Sequence, residues 1–422
     1  MKKIYKSTID KLSKKLKINL DYIVKSGFWL ALSKFSGISK SFILSLIFAN
    51  VLSKNIYGEY AFIISILAIA NIFSLPGMEV AVISAVAKGY DYTYIEALKK
   101  IFKYSFLGSA FLFLFAIYEY YLHNIILFFS FLFLSLIFPI LSSVSFYPSF
   151  LIGKKRFDLL SNFSLIFNII STLAIGITSY LTKNPFFIIV SNVLCQIVFQ
   201  GFFTFEIIKK YIKSKHLDKE SINFGKSISK SIAFSNIANN IDSLIIVNFL
   251  GFKEFAIYKV VTLVPNQIKN FANILHPIIL PKFSEKNVKK EDVIRYTRKL
   301  LPLVVFLIMI YIPLAPIVFK LFYPKYYDYV WLSIIYHLSF FMFLQVLPYN
   351  YLLKEKKRKI INKFYNYSSI WLISLSLISI YFFGLFGAVI TRIIHRLFTL
   401  IILYRYCFKI PDTLGAKITS KW

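Results

Sequence analysis

Apolar residues along this chain run in long unbroken blocks rather than in stripes with a 3.6-residue period. Stretches such as 125–140 and 300–312 contain no charged residue at all. A helix needs roughly 20 predominantly apolar residues to cross a hydrocarbon layer about 30 Å thick. Read with that window, the pattern predicts twelve membrane-crossing helices, over 27–51, 59–83, 102–120, 124–150, 159–181, 186–208, 228–250, 255–280, 300–322, 328–353, 364–383 and 386–405. The expected fold class is all-α: a polytopic membrane protein of about twelve spans.

Composition agrees, at 58% hydrophobic residues, against 45–50% for soluble domains. Charge adds orientation. The chain carries 50 Lys and Arg against 19 Asp and Glu, a net charge of +31. Such an excess points first to nucleic acid, but its placement excludes that partner. With the N-terminus inside, 39 of the 50 fall in the N-terminal 25 residues, the loops around 84–103, 153–158, 207–230, 281–299 and 354–363, and the C-terminal tail. The six outer loops hold five (Lys54, Lys183, Lys253, Lys320 and Lys325), and six lie inside spans. This is the positive-inside asymmetry, obeyed at every loop. It places both termini in the cytoplasm and the chain in the inner, cytoplasmic membrane, with basic loops resting on anionic headgroups. Tyr5, Ile9, Leu12 and Leu16 recur at helical spacing among lysines. Residues 1–20 thus read as a helix on the membrane surface or as a frayed tail, and not as a signal peptide. Cys195 and Cys407 form no disulfide or metal framework.

The loop at 207–230 divides the chain near its middle. Leu52–Tyr60 (LSKNIYGEY) joins spans 1 and 2, and Leu250–Tyr258 (LGFKEFAIY) joins spans 7 and 8, offset by 198 residues at both ends. The expected organisation is two six-helix bundles in parallel repeat. The first half covers 1–208, a linker 209–227, and the second half 228–422. Repeat-built transporters keep their substrate site at the repeat interface near the bilayer midplane.

Charge inside the spans is costly, roughly 2.5–3.5 kcal/mol per residue at mid-membrane. Six such residues therefore predict a wet or anion-holding interior. In span 8, Lys259, Thr262, Asn266, Lys269, Asn273 and His276 recur every three or four residues and share one face. Span 1 contributes Lys34 and Lys40. Span 7 carries Ser229, Asn236, Asn239, Asn240 and Ser243 on one face, with Asp242 to the side. Asp242 is the only aspartate in the interior of a predicted span, and either pairs with a lysine of span 1 or 8 or couples an ion. Span 12 places Arg392, His395, Arg396 and Thr399 together, and arginine forks suit bidentate phosphate contacts. The bland readings are snorkelling for the lysines and helix packing for the small polar residues, including Ser161, Ser164, Asn168 and Ser171 of span 5. Glu79, Glu119 and Glu206 are expected at the interface. The expected cavity is cationic, amide-rich and hydroxylated, which suits an anionic sugar carrier rather than an apolar cation.

No phosphate-binding Gly-rich loop, Asp-x-Asp pair or nucleophile–base constellation is present, and every outer loop is shorter than about ten residues. Catalysis, and with it a glycosyltransferase or polymerase role, is not supported. No cofactor or metal is expected.

The segment LIFANVLSKNIYGEY (46–60), then Pro76-Gly-Met-Glu-Val-Ala81, resembles the first two spans of O-antigen and polysaccharide flippases. These belong to the multidrug/oligosaccharidyl-lipid/polysaccharide exporter superfamily. Asp242-Ser-Leu-Ile-Ile-Val-Asn-Phe-Leu-Gly251, closing on Tyr258, is similar to their seventh and eighth spans. The resemblance implies two bundles around a central cavity, alternating access, and a polyprenyl-diphosphate-linked oligosaccharide as cargo. Other expected partners are membrane lipids and a glycan polymerase complex. The family's Gly, Tyr and Asp positions fall on Gly58, Tyr60, Gly77, Asp242 and Tyr258. One position departs: Ser84 stands where relatives often have a basic residue, and Lys88 lies one turn on. A lipid II-type flippase or a drug/cation antiporter of the same superfamily is the alternative.

Overall fold

The computed structural model describes residues 20–267, 289–354 and 358–409. The N-terminal surface segment, Lys269, Asn273 and His276 therefore lie outside the described residues, apart from Leu20, which opens the first helix. Every described element is an α- or 3₁₀-helix, in keeping with the all-α expectation. In order these are α1 (Leu20–Val51), α2 (Lys54–Ala70) running into a 3₁₀ turn (Asn71–Ser74), α3 (Met78–Ala87), α4 (Tyr92–Tyr121), α5 (Ile125–Val144), α6 (Tyr147–Gly153), α7 (Phe157–Thr182), α8 (Pro185–Tyr211) and α9 (Lys219–Leu250). Then come α10 (252–267), α11 (Lys290–Phe322), a 3₁₀ stretch (Pro324–Tyr329), α12 (Val330–His337), a second (Leu338–Gln345) and α13 (Val346–Lys354). The last element, Arg358–Lys409, breaks at Gly384 into α14 (358–383) and α15 (385–409).

Among the described residues, nine helical segments are long and apolar enough to cross a membrane. One of them, Asn366–Phe408, has 43 residues. At 1.5 Å per residue that is about 64 Å, twice the hydrocarbon thickness, so it holds two crossings. Adding the second arm and the polar α9 accounts for eleven of the twelve expected spans, and α10 for the described start of span 8.

Gly384 makes the last reversal possible: its φ of +56° lies in the left-handed region that favours glycine. Gly387 follows because a Cβ there would sit 1.9 Å from the Ser379 carbonyl oxygen. Beyond the turn the arms run antiparallel, with Trp371 on Phe398 at 5.2 Å and Phe364 on Tyr406 at 6.5 Å between ring centroids.

Among the described residues three predicted spans are not continuous α-helix; one is span 10, which passes through the 3₁₀ stretch Leu338–Gln345. Span 2 breaks between the 3₁₀ turn and α3, where Leu75 takes φ +55° and Pro76 has no N–H to continue the ladder. Span 4 is divided at Ser145–Phe146, just before Pro148, a residue tolerated in the first turn of α6.

The chain forms two compact units, residues 1–240 and 241–422. Their boundary falls within α9, beyond the linker expected over 209–227. The reason is local. Gly77 and Gly225 let α3 and the first turns of α9 touch backbone to backbone. The Gly77 N–H donates to Ser229 Oγ at 3.0 Å, and Ser229 donates to the Gly225 carbonyl at 2.8 Å. The core of the first unit lies beside this contact: Met78, Ala81 and Val82 of α3 with Tyr94, Tyr147, Phe150, Phe203, Ile207 and Ile222.

Candidate functional site

Three polar clusters contain Lys40, the pair Asp242–Arg392, and Arg396. The first is a seam in the first unit between α1 and α7. Ser33 donates to Ser164 at 3.0 Å, Asn168 to Ser36 at 2.9 Å, and Lys40 Nζ to Ser171 at 2.7 Å. The sequence offsets are 131, 132 and 131. A constant offset means parallel helices in fixed register. Lys40 also lies 4.4 Å from the centre of the Phe167 ring, a cation–π contact. The small polar residues of span 5 thus pack helices, and Lys40 is part of that seam. Lys34 is exposed on the same helix.

The second cluster surrounds Asp242 in the second unit. Its carboxylate is buried, with 4% of the side chain exposed, and forms an ion pair with Arg392 Nε of α15. Tyr258 donates to it at 2.8 Å and Ser376 at 3.2 Å. Four spans therefore converge on one carboxylate: the seventh, eighth, eleventh and twelfth. The partner expected from the sequence is a lysine of span 1 or 8; the structure supplies an arginine of span 12. Asp242 and Tyr258, two positions carried over from the family resemblance, are bonded to each other. Nearby, Lys259 is half-buried with Nζ 4.8 Å from the Phe255 ring centre.

The third cluster, also in the second unit, holds Arg396, which is 8% exposed. It donates to Ser339 Oγ, to Asn266 Oδ1 at 2.9 Å and to Tyr336 Oη at 2.9 Å. Tyr336 donates in turn to Asn266 at 3.0 Å, and the guanidinium lies over the Tyr336 ring at 4.9 Å. Gln345 fixes the backbone by donating to the Arg396 carbonyl at 2.8 Å and to Thr399 at 2.6 Å. All these partners are neutral. Among the described residues no carboxylate balances Arg396, so a permanent positive charge is held in polar but uncharged surroundings.

The amides of span 7 divide. Asn240 donates to the Asn236 carbonyl at 3.0 Å, both half-buried, whereas Asn239 is exposed. Tyr60 packs on Phe48 at 4.7 Å between ring centres. Ser84 and Lys88 are both exposed at the end of α3.

Glu79 is exposed, and Glu206 pairs with Lys210 at 2.5 Å. Glu119, in the last turn of α4, is 3% exposed and accepts from Asn124 Nδ2 at 2.8 Å. The three-residue turn after α4 brings Asn124 back over the helix end and turns the carboxylate inward. Two further residues are not singled out by the sequence. Lys226 reads as loop because it extends a basic run, and Lys230 falls where that loop and the predicted span meet, yet α9 begins at Lys219 and carries both. The signal is there: Ile222, Gly225 and Ser229 are buried at helical spacing, with the lysines turned away from them.

The comparisons with known proteins agree with this architecture. The fold is shared with the lipid II flippase MurJ in an inward closed conformation, at 15% identity and a TM-score of 0.66, covering 92% of this chain and 88% of that one. An inward-facing multidrug resistance transporter of the MATE family and MOP superfamily gives a TM-score of 0.67 at 11% identity, covering 90% and 94%. The MATE multidrug transporter DinF-BH gives 0.63 at 11% identity, covering 93% and 97%. No curated protein sequence matches the chain. Residues 47–325, more than half of the chain, match the family described as polysaccharide biosynthesis protein. Apolar blocks, two helical units and this match lead to one conclusion: the chain is a multi-pass membrane protein of the polysaccharide biosynthesis protein family, built on the fold of the MOP-superfamily transporters.

Proposed function

We propose that the protein is a flippase that carries a lipid-diphosphate-linked oligosaccharide across the cytoplasmic membrane by alternating access, with both termini cytoplasmic. The observation that carries this reading is Arg396. Its charge is set among Ser339, Asn266 and Tyr336, groups that orient a guanidinium without neutralising it. Charge-assisted bonds from an arginine fork to a phosphate are about twice as strong as neutral ones. An anion is the natural complement of such a site, and a diphosphate joins an anion to the sugars that a polysaccharide family handles. Arg392 does not offer the same, because Asp242 already balances it. MurJ, whose fold this chain shares, is a lipid II flippase, and that likeness supports the same substrate class.

The test is flipping by purified protein in vesicles loaded with a polyprenyl-diphosphate oligosaccharide, read by an impermeant lectin. Arg396→Gln is expected to lower the rate tenfold or more at unchanged thermal stability, with Arg396→Lys in between. Wild-type flipping by Arg396→Gln would overturn the assignment.

One observation favours a second reading, a drug/cation antiporter. Glu119 is buried in the first unit, and Glu59 Oε2 is buried with no hydrogen-bond partner among the described residues. Cation export that is lost in Glu119→Gln, with oligosaccharide flipping absent in the parent, would select that reading.

A further inference from the structure

The first unit carries a groove that neither the Arg396 cluster nor the α1–α7 seam uses. Its volume is about 510 Å³. One wall is formed by Lys226, Ser227 and Lys230 of α9, the other by Phe73, Tyr104 and Leu107. Lys226 Nζ stands 5.7 Å from the Tyr104 ring centre, where the two walls meet. Neither lysine has a carboxylate partner among the described residues.

The depth of these residues locates the groove. α9 has 32 residues, about 48 Å, so it overhangs a ~30 Å hydrocarbon core by roughly 9 Å at each end. Lys226 lies about 10 Å from the start of α9, at the hydrocarbon boundary, and Lys230 lies about one turn further in. Tyr104 and Leu107 are roughly 18 and 22 Å along α4 from its start at Tyr92. Lys226 thus stands at the boundary beside Tyr104, Lys230 one turn further in, and both line the groove with an apolar wall of Phe73, Tyr104 and Leu107. A lipid presents the two matching chemistries, an anionic phosphate and an apolar chain. Lysines near the membrane surface attract anionic lipid headgroups, and burying an acyl chain against an apolar wall adds to that attraction.

We propose that this groove binds an anionic phospholipid of the surrounding leaflet, its phosphate on Lys226 and Lys230 and one acyl chain along Tyr104, Leu107 and Phe73. The shared chemistry is a lipid phosphate, and the diphosphate of a polyprenyl cargo is the other source of it. The assignment does not depend on what the protein transports.

The test is native mass spectrometry of the full-length protein in detergent, titrated with phosphatidylglycerol, phosphatidylcholine or geranylgeranyl diphosphate. Phosphatidylglycerol is expected to bind at least tenfold more tightly than phosphatidylcholine. The double variant Lys226→Gln/Lys230→Gln is expected to remove that preference without shifting the thermal transition, since both side chains lie outside the core. Leu107→Trp fills the apolar wall without touching charge and is expected to weaken phosphatidylglycerol binding as well. Equal binding of the two phospholipids, or unchanged binding in both variants, overturns the proposal. Displacement of phosphatidylglycerol by stoichiometric geranylgeranyl diphosphate also overturns it, by assigning the groove to a prenyl diphosphate. A protein that flips no oligosaccharide yet keeps the phosphatidylglycerol preference leaves this inference standing and rejects only the flippase reading.

Discussion

Changing Asp242 to Asn removes the charge that balances Arg392 and leaves one acceptor oxygen where Tyr258 and Ser376 each bond to a separate carboxylate oxygen. The geometry sets the size of the effect. The side chains of Asp242 and Arg392 are 4% and 12% exposed, and α15 brings the guanidinium into contact with the carboxylate. Removing one partner of a buried pair leaves the other charge uncompensated, at a loss of about 3–5 kcal/mol. In a unit of this size that corresponds to a fall in Tm of roughly 10 °C. Arg392→Gln alone strands the carboxylate and is expected to lose a similar amount. The double variant Asp242→Asn/Arg392→Gln strands neither, and its two amides can still bond across the gap. Its Tm is expected to return to within a few degrees of the parent, a net loss of about 1 kcal/mol, giving a coupling free energy of about 5–9 kcal/mol in the double-mutant cycle. Thermal unfolding of purified protein, followed by tryptophan fluorescence in one detergent, measures all four corners. Additive single effects, with coupling below about 0.5 kcal/mol, would refute the ion pair as the organiser of these four spans. The resident guanidinium also bears on ion coupling: a carboxylate already matched by a fixed cation has no charge left for a transported one, so flipping is expected to proceed in Asp242→Asn/Arg392→Gln if the fold is recovered.

Three further outcomes follow from other parts of the molecule. In a background with Cys195 and Cys407 replaced, single cysteines at Asn55, Asn184 and Lys325 are expected to react with an impermeant thiol reagent from outside intact cells, and those at Lys155, Lys215 and Lys357 are not; external labelling at Lys155 would overturn the orientation. Gly77→Ala would place a Cβ 2.4 Å from the Gly225 carbonyl oxygen and is expected to destabilise by about 1–3 kcal/mol. Gly37→Ala, whose nearest neighbour is 4.0 Å away, is expected to be close to neutral, and equal Tm values would sink the close-contact account. Asp218 caps α9 by accepting from the Ser221 N–H at 2.9 Å and hydroxyl at 2.7 Å, and the backbone bond foremost holds its carboxyl below the usual carboxylate range. A lowered carboxyl stabilises above its unfolded pKa and loses that contribution as pH falls through the folded one. Asp218→Ala is thus expected to lose about 0.5–2 kcal/mol at neutral pH and to converge with the parent in acid; a pH-independent gap between them would contradict the cap.

The spans are legible because membrane insertion writes itself into composition: an apolar block of about 20 residues has few structural meanings, and basic loops mark one side. The charged residues within spans are also legible as unusual. Their partners are not, because Asp242 and Arg392 are 150 residues apart and no local period links them. Lys40 shows the limit of face arguments. A helical wheel places it on a polar arc but does not reveal that the arc faces Ser171 of a parallel helix. Lys226 is misplaced for a different reason: its charge extends a basic run and conceals the nine residues of helix before the predicted span at 228. The break in span 2 is signalled by Pro76-Gly77, but that signal sits inside an apolar block that otherwise reads as continuous.

The turns at the sparsely charged end are short: Leu52–Ser53, Leu122–Asn124, Lys183–Asn184, Gly251 and Gly384 each reverse the chain in three residues or fewer. During synthesis a span tied to its successor so tightly has no room to settle across the bilayer before the next one emerges. Such neighbours enter as helical hairpins, and the translocon must accommodate both before releasing either. Insertions at these turns would uncouple the pairs, so a tag or protease site is better tolerated in the longer connection at 212–218, where the chain crosses between helices on the basic side.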